Sequence, residues 1–360
     1  MDRRPGALED VVNPSREFWC GRRVLVTGHT GFKGAWLALL LHRLGAAVTG
    51  LALDPEPGPN AYGLLRVAPL LAAEHRADIR DAAALGALVR AARPEVVLHL
   101  AAQAFVGRGY RAPAATFAAN LDGTIHLLEA LRDLPGVLAA VMVTSDKVYR
   151  NDGGGRAFRE GDPLGGADPY SASKAAAEIA VASWRASFAA ELPPLATARA
   201  GNVIGGGDVG EQRLVPDLVR AQAAGEALLL RRPEATRPFQ HVLDVLRGYL
   251  LLAERLAAGT APPALNFGPL DGEIRVRDLI AAWGEASGAP VAWQQERGPV
   301  MPEAPRLGLD SSLAGEALGW HPLLSTPQAI AETARWYAAW RAGADVQAQA
   351  RATIDRLVPA

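Results

Sequence analysis

An apolar run from Arg23 ends in the turn Gly28-His29-Thr30-Gly31-Phe32-Lys33-Gly34, and beyond it Phe32, Trp36, Leu39, Leu40 and Arg43 recur at helical spacing until Gly45. Strand, glycine turn and helix in that order leave few folds open, because a turn this tight needs residues without a Cβ at fixed positions. The alternation then repeats. Apolar runs at Ala47–Leu53, Glu74–Ile79, Val96–Leu100, Leu138–Thr144 and Leu195–Ala200 read as strands, and Ala82–Ala92, Ala114–Arg132 and Pro169–Ala190 read as helices. Continuously apolar strands separated by helices predict an α/β fold, a doubly wound parallel sheet of the Rossmann type covered on both faces.

After Asn202 the alternation breaks at Gly205 to Gly207, at Pro262 and Pro263, and at Gly298 to Pro305. A smaller lobe is expected there, with helices at Pro216–Ala224, Val242–Ala257 and Val276–Ser287. The expected organisation is a flexible tail over residues 1–17 and a dinucleotide-binding domain with the catalytic residues over 18–202. A mainly substrate-binding lobe over 203–325 and C-terminal helices over 326–360 complete it.

Composition narrows the classes of function. Lys plus Arg (37) and Asp plus Glu (38) nearly cancel over 360 residues, so no broad basic face is available for nucleic acid. The single cysteine, Cys20, rules out an internal disulfide and suits a reducing cytoplasm. The apolar stretch Ala35–Leu41 is far shorter than the roughly 20 residues of a membrane span, so no membrane partner is expected.

The turn itself predicts a cofactor. Gly28, Gly31 and Gly34 permit the bend, let backbone N–H groups approach a pyrophosphate and let the helix pack closely, with Thr30, Phe32 and Lys33 lining the same turn. Asp54, 26 residues after Gly28, ends the second strand where a carboxylate can hold ribose hydroxyls, which favours NAD over NADP. Lys33 argues the other way if it meets a 2'-phosphate, and either charge is equally compatible with a solvated surface. Asp78 and Ile79 after the third strand, and Ala101, Ala102 and Gln103 after the fourth, stand where strand ends would meet the cofactor.

Two further groups carry chemistry. In Asp168-Pro169-Tyr170-Ser171-Ala172-Ser173-Lys174 an N-cap and a first-turn proline place Tyr170 and Lys174 on one helix face. A nearby ammonium would stabilise phenolate and make Tyr170 a base toward a sugar hydroxyl. In Thr144-Ser145-Asp146-Lys147, directly after an apolar strand, Ser145 can hold that hydroxyl. Adjacent Asp146 and Lys147 supply an acid and a base, as elimination across neighbouring carbons requires, provided burial keeps the acid protonated and the amine neutral. The alternative is an exposed ion pair worth ~0 to 1 kcal/mol.

Taken together these strings resemble the extended short-chain dehydrogenase/reductase family. Phe18 to Leu37, Thr144 to Tyr149, Asp168 to Lys174, Arg199 to Asp208 and Arg237 to Leu243 are similar to its CDP-glucose 4,6-dehydratase group, where Lys stands at position 147 and the dTDP-glucose group has Glu. The resemblance implies the following sequence of steps. Tyr170, helped by Ser145 and Lys174, removes the glucose 4-hydroxyl proton as hydride passes from C4 to NAD; Lys147 takes the C5 proton, Asp146 releases the 6-hydroxyl as water, and hydride returns to C6. The implied product is CDP-4-keto-6-deoxyglucose, a precursor of dideoxy sugars. It further implies substrate contacts from Asn202, Arg213, Arg237, His241 and Arg306, a structural role for Asn120 behind the catalytic helix and cofactor, Thr144 beside the cofactor, and a homodimer or dimer of dimers. Two departures stand out: Gly107 and Ala104 replace an Arg and a Pro of the family, with Arg108 the nearest cation, and Glu303 to Asp310 lacks the usual aromatic and Lys residues. The competing readings are a dehydratase or epimerase for another nucleotide sugar, the epimerase having no need of Asp146-Lys147, and a non-catalytic dinucleotide sensor, which would not need Tyr170 and Lys174.

Overall fold

The computed structural model describes residues 11–297 and 304–359. Its centre is a seven-stranded sheet built from β1 (Arg23–Thr27), β2 (Ala47–Ala52), β3 (Ala73–Arg76), β4 (Val96–His99), β5 (Ala139–Val143), β6 (Leu195–Ala200) and β7 (Ala264–Phe267). Their spatial order is β7-β6-β5-β4-β1-β2-β3, and each neighbouring pair is parallel. The alternation of strand side chains explains why both faces are covered. Val24 and Val26 join one buried cluster while Leu25 between them joins the other. A sheet with two apolar faces cannot be left open to water on either.

Helix α1 (Phe32–Arg43) and helix α5 (Val242–Ala257) pack on the first face; α2 (Ala82–Ala92) and α3 (Gly123–Leu131) lie on the second, where α4 (Pro169–Ser187) also adds Val181. The stretch expected as one helix from Ala114 to Arg132 is divided: Pro113–Phe117 is α-helical, Ala118–Asp122 is a π-helical turn and α3 follows. The wider turn brings Asn120 inward, where it is buried. The strand expected over Glu74–Ile79 is shorter, and Asp78 with Ile79 lies beyond the end of β3.

Among the described residues the smaller lobe holds three two-stranded pairs: Val203–Ile204 with Gln240–His241, Thr236–Arg237 with Ile274–Arg275, and Leu228–Leu230 with Trp293–Gln295. Its chain also re-enters the large sheet, since β7 extends the edge beside β6. At the other terminus, residues expected in a flexible tail are held from Val12 onward. Arg247 of α5 donates to the Val12 carbonyl at 2.5 Å, and Glu254 accepts from the Ser15 amide at 2.8 Å and the Trp19 indole at 2.6 Å. A buried guanidinium needs acceptors, and this segment brings one to it. The joint expected at Gly298 to Pro305 lies largely outside the described residues, as does Glu303.

Candidate active site

Helix α4 starts at Asp168, whose carboxylate accepts the Tyr170 and Ser171 amides at 2.9 and 3.1 Å, while the Ser171 hydroxyl closes a capping box and Pro169 occupies the first turn. This cap fixes where the helix begins and therefore which face presents Tyr170 and Lys174. Lys174 reaches across to the end of β5 and donates to the Val143 carbonyl at 3.0 Å. Beyond β5, the Ser145 hydroxyl donates to Asp146 at 3.0 Å and accepts the Lys147 amide at 3.2 Å, turning the chain into the short helix Asp146–Val148. Tyr170, Lys174, Ser145 and Asp146 are all buried.

Burial dominates the electrostatics. It pushes the Asp146 carboxyl above the usual range, with Lys147, Ser145 and Arg237 opposing, and leaves the second carboxyl oxygen without a partner among the described residues. It lowers the Lys174 ammonium to about 8 against the pull of Glu178. The Tyr170 phenol is raised as well, with Ser145 opposing. The expected lowering of Tyr170 by its lysine is therefore not what the resting site displays: desolvation raises the phenol, and the Lys174 ammonium is bonded to the strand.

The glycine turn sits at the end of β1, beside the point where the sheet order passes from β1 to β4, the crevice in which such sheets bind ligands. A Cβ on Gly28 would lie 2.7 Å from the Ala101 amide nitrogen, and one on Gly34 2.1 Å from the Gly28 carbonyl oxygen. Gly31 caps α1 without a side-chain bond, so the first-turn amides stay available to an anion. These residues fit a dinucleotide pyrophosphate. Thr30 ties the turn to the Leu53 carbonyl at 3.0 Å, and Phe32 leads into α1 against Gly205. Asp54 is exposed, 3.2 Å from Arg76, and Asp78 is gripped by Arg80, which holds its carboxyl below the usual range. Ile79 packs on Gly123.

Ala101 bonds through its amide to Thr27 at 3.2 Å, Ala102 follows half-buried, and Gln103 uses its side chain on Phe105 and Thr116. Asn120 accepts the Gln103 amide at 2.8 Å and donates to Ser173 of α4 at 2.9 Å, linking that loop to the catalytic helix. The Thr144 hydroxyl is engaged by Glu178.

Several residues depart from expectation. Lys33 is half-buried, and its head group is not directed to solvent. Its ammonium turns inward, 3.4 Å from the Tyr249 hydroxyl, and burial beside Lys174 and Arg213 lowers it to about 7. His241, expected to orient the loop of Arg237 beside the substrate, caps α5 through the Leu243 amide, lies edge-on to Trp36, and has Glu332 and Arg356 of the C-terminal helices as charged neighbours. Arg306 is exposed and pairs with Glu273 at 2.7 Å. Arg213 and Arg237 do approach the catalytic groups. Arg213 pairs with Asp208 at 3.0 Å, lies over Phe105 and acts on Tyr170; Arg237, anchored by the Thr236 and Ala304 carbonyls, acts on Asp146. Asn202 is half-buried and pairs its carbonyl with the Gln240 amide at 3.0 Å. At the Gly107 departure, the Gln212 side chain occupies the space a Cβ would take, while Arg108 is bound to Glu56 at 2.5 Å.

Two participants escaped the sequence reading. Tyr249, from the middle of α5, is buried near Tyr170 and Asp146, and nothing local to its sequence reveals that. Glu178 had a signal, because it stands four residues past Lys174 and so shares its helix face.

The sequence profile of the NAD dependent epimerase/dehydratase family matches residues 24–268, which include the glycine turn, Ser145, Asp146, Lys147, Tyr170 and Lys174. The chain belongs to that family. CDP-glucose 4,6-dehydratase of Salmonella typhimurium is 39% identical over 347 residues, spanning 92% of this chain and 94% of that protein. UDP-glucose 4-epimerase of Mycolicibacterium smegmatis is 31% identical over 326 residues, spanning 88% of this chain and 98% of that protein. Among solved structures, the dTDP-glucose 4,6-dehydratase of Streptomyces venezuelae, with NAD bound, superposes with a TM-score of 0.76 at 27% identity, covering 90% of this chain and 99% of that one.

Proposed function

We propose that this protein is an NAD-dependent nucleotide-sugar 4,6-dehydratase that converts CDP-glucose to CDP-4-keto-6-deoxyglucose and water. The observation that carries the reading is the adjacent pair of buried Asp146 and half-buried Lys147 beyond the end of β5, on the same site as Tyr170 and Lys174. An epimerase has no use for an acid and a base side by side at this place. The likeness to the Salmonella enzyme supports CDP-glucose as the substrate.

The residues divide the work. The turn Gly28 to Gly34 and the strand ends at Asp54, Asp78 and Ala101 would hold NAD, which when bound supplies reversible hydride transfer between its nicotinamide and the sugar. Ser145 holds the 4-hydroxyl and Tyr170 takes its proton, with Lys174 stabilising the phenolate as it forms. The ketone at C4 acidifies C5, Lys147 removes that proton and returns it to C5 when C6 receives hydride, and Asp146, whose pKa burial raises, delivers a proton to the departing 6-hydroxyl. Arg213 and Arg237 are assigned to the diphosphate by charge-assisted bonds. The cytoplasm is the proposed compartment, in keeping with the lone Cys20, and among the described residues no helix is long and apolar enough to cross a membrane. Ile179, exposed on α4, supports pairing of two copies through the long helices.

The test offers purified protein CDP-, dTDP- and UDP-glucose and GDP-mannose with NAD and follows the 4-keto product. CDP-glucose is expected to be converted, with deuterium placed at C4 recovered at C6. Turnover of dTDP-glucose without turnover of CDP-glucose would overturn the substrate assignment.

A further inference from the structure

Glu178 lies one helical turn beyond Lys174 and is only 3% exposed. Its carboxylate accepts four hydrogen bonds, from the Thr144 hydroxyl, from the Thr197 hydroxyl at 2.7 Å, and from Arg199 Nε and Nη2 at 2.9 and 2.8 Å. Arg199, on β6 and equally buried, continues to the Tyr149 hydroxyl at 2.8 Å and the Glu160 carbonyl at 3.0 Å. Tyr149 in turn donates to Asn266 of β7 at 2.6 Å.

A buried ion pair says little about stability by itself, because desolvation offsets its attraction. What it connects is more informative. Thr144 immediately precedes Ser145, and Tyr149 follows Lys147 by two positions, so the pair grips both ends of the segment that carries Ser145, Asp146 and Lys147. Glu178 also belongs to the helix that carries Tyr170 and Lys174. The two halves of the site come from different elements, and this ion pair is where those elements are locked together.

We infer that Glu178 and Arg199 are positioning residues that hold the oxidation half of the site, Tyr170 with Lys174, in register with the elimination half, Asp146 with Lys147. This rests on the dehydratase reading, in which both halves act on neighbouring carbons of one sugar without an intervening release. A displacement of about 1 Å between such groups can cost on the order of a hundredfold in rate. Glu178 has an electrostatic part as well: its carboxylate opposes the loss of charge that burial imposes on Lys174, which is also faced by Lys33 of α1 and His99 of β4.

The experiment compares wild type with Thr144→Val, Glu178→Gln and the double variant Glu178→Gln with Arg199→Met, which removes both buried charges together and guards against misfolding from one left alone. Each is assayed with NAD and C4-deuterated CDP-glucose. The expected result is a kcat lowered by about 10- to 100-fold with KM changed less than about threefold, and deuterium at C6 falling short of complete as unreacted 4-keto sugar escapes. In Glu178→Gln the alkaline limb of kcat moves to lower pH, while in Thr144→Val it stays in place. Folded variants with wild-type kcat and complete C4-to-C6 transfer would overturn the clamp and leave the pair a stabilising contact. A wild type inactive on every sugar of the panel would end the dehydratase reading itself, whereas active wild type with unchanged variants ends the clamp alone.

Discussion

At Asp146 the demands of folding and of catalysis point the same way. Burial favours the neutral form of this carboxyl, outweighing the cations Lys147, Arg237 and Lys33 around it, and a neutral carboxyl is what an acid catalyst must be. Its raised pKa means that the protonated form is complete at low pH and is lost as pH rises through the raised value, so elimination should decline on the alkaline side. Asp146→Asn should lower kcat by about 10²- to 10⁴-fold and remove its share of that decline, leaving only the limb that Lys174 sets, read from kcat against pH; an unchanged kcat would reassign the acid. Lys147→Met should block elimination to a similar extent while NAD binding, followed by fluorescence titration, stays as in wild type. Unchanged turnover would take Lys147 out of the mechanism. The sequence made these residues visible because they are neighbours in the chain and follow an apolar strand. Lys33 was misjudged for the opposite reason: the direction of a long side chain is set by what it can reach, and Tyr249 lies 216 positions away.

Among the elements, α4 was the most legible and α5 the least. Asp168, Pro169, Tyr170 and Lys174 declare a capped helix through local spacing alone, and the structure builds the cap with the further help of Ser171. Asp168→Ala should cost about 0.5–2 kcal/mol in unfolding free energy, with Asp168→Ser keeping most of it, both measured by urea denaturation. The loss in kcat should exceed what that destabilisation explains, because the first turn carries Tyr170. The helix carrying Asn120 was expected as a regular run, and its π-helical turn was not foreseen, since one extra residue in a turn leaves no mark on apolar periodicity. At α5, His241 sits in a string that resembles a substrate loop yet serves as a helix cap, because it ends the two-residue strand Gln240–His241 where the helix begins.

Across the whole molecule, α5 is the post to which the N-terminal segment and the joint before the last two helices are tied. Asp244 accepts the Leu323 amide at 2.6 Å, and Arg247 bonds the carbonyls of Val12 and His321. Burial pushes the Asp244 carboxyl up to about 6. A raised carboxyl stabilises the fold below its ordinary pKa near ~4 and loses that contribution as pH rises through about 6. Asp244→Asn should therefore gain on the order of 1–3 kcal/mol at pH 8 and nothing at pH 4, measured as the difference in thermal unfolding between the two. Equal effects at both pH values would show that its charge is not at issue. The overall doubly wound plan was legible from alternation, and a returning strand or helix was to be expected of such chains, but not that residues 264–267 supply it, because four residues after a proline pair carry too little pattern to name their sheet.

That return also constrains how the protein is made. The edge of the sheet beside β6 is completed only by residues 264–267, which the chain delivers long after Thr197 to Ala200. On the ribosome, a strand with unpaired backbone groups must wait through the synthesis of most of the second lobe, exposed to pairing with other nascent chains in the meantime. The two lobes are thus joined in time as well as in space, and a nascent chain halted at residue 202 carries an open edge where the finished enzyme has none.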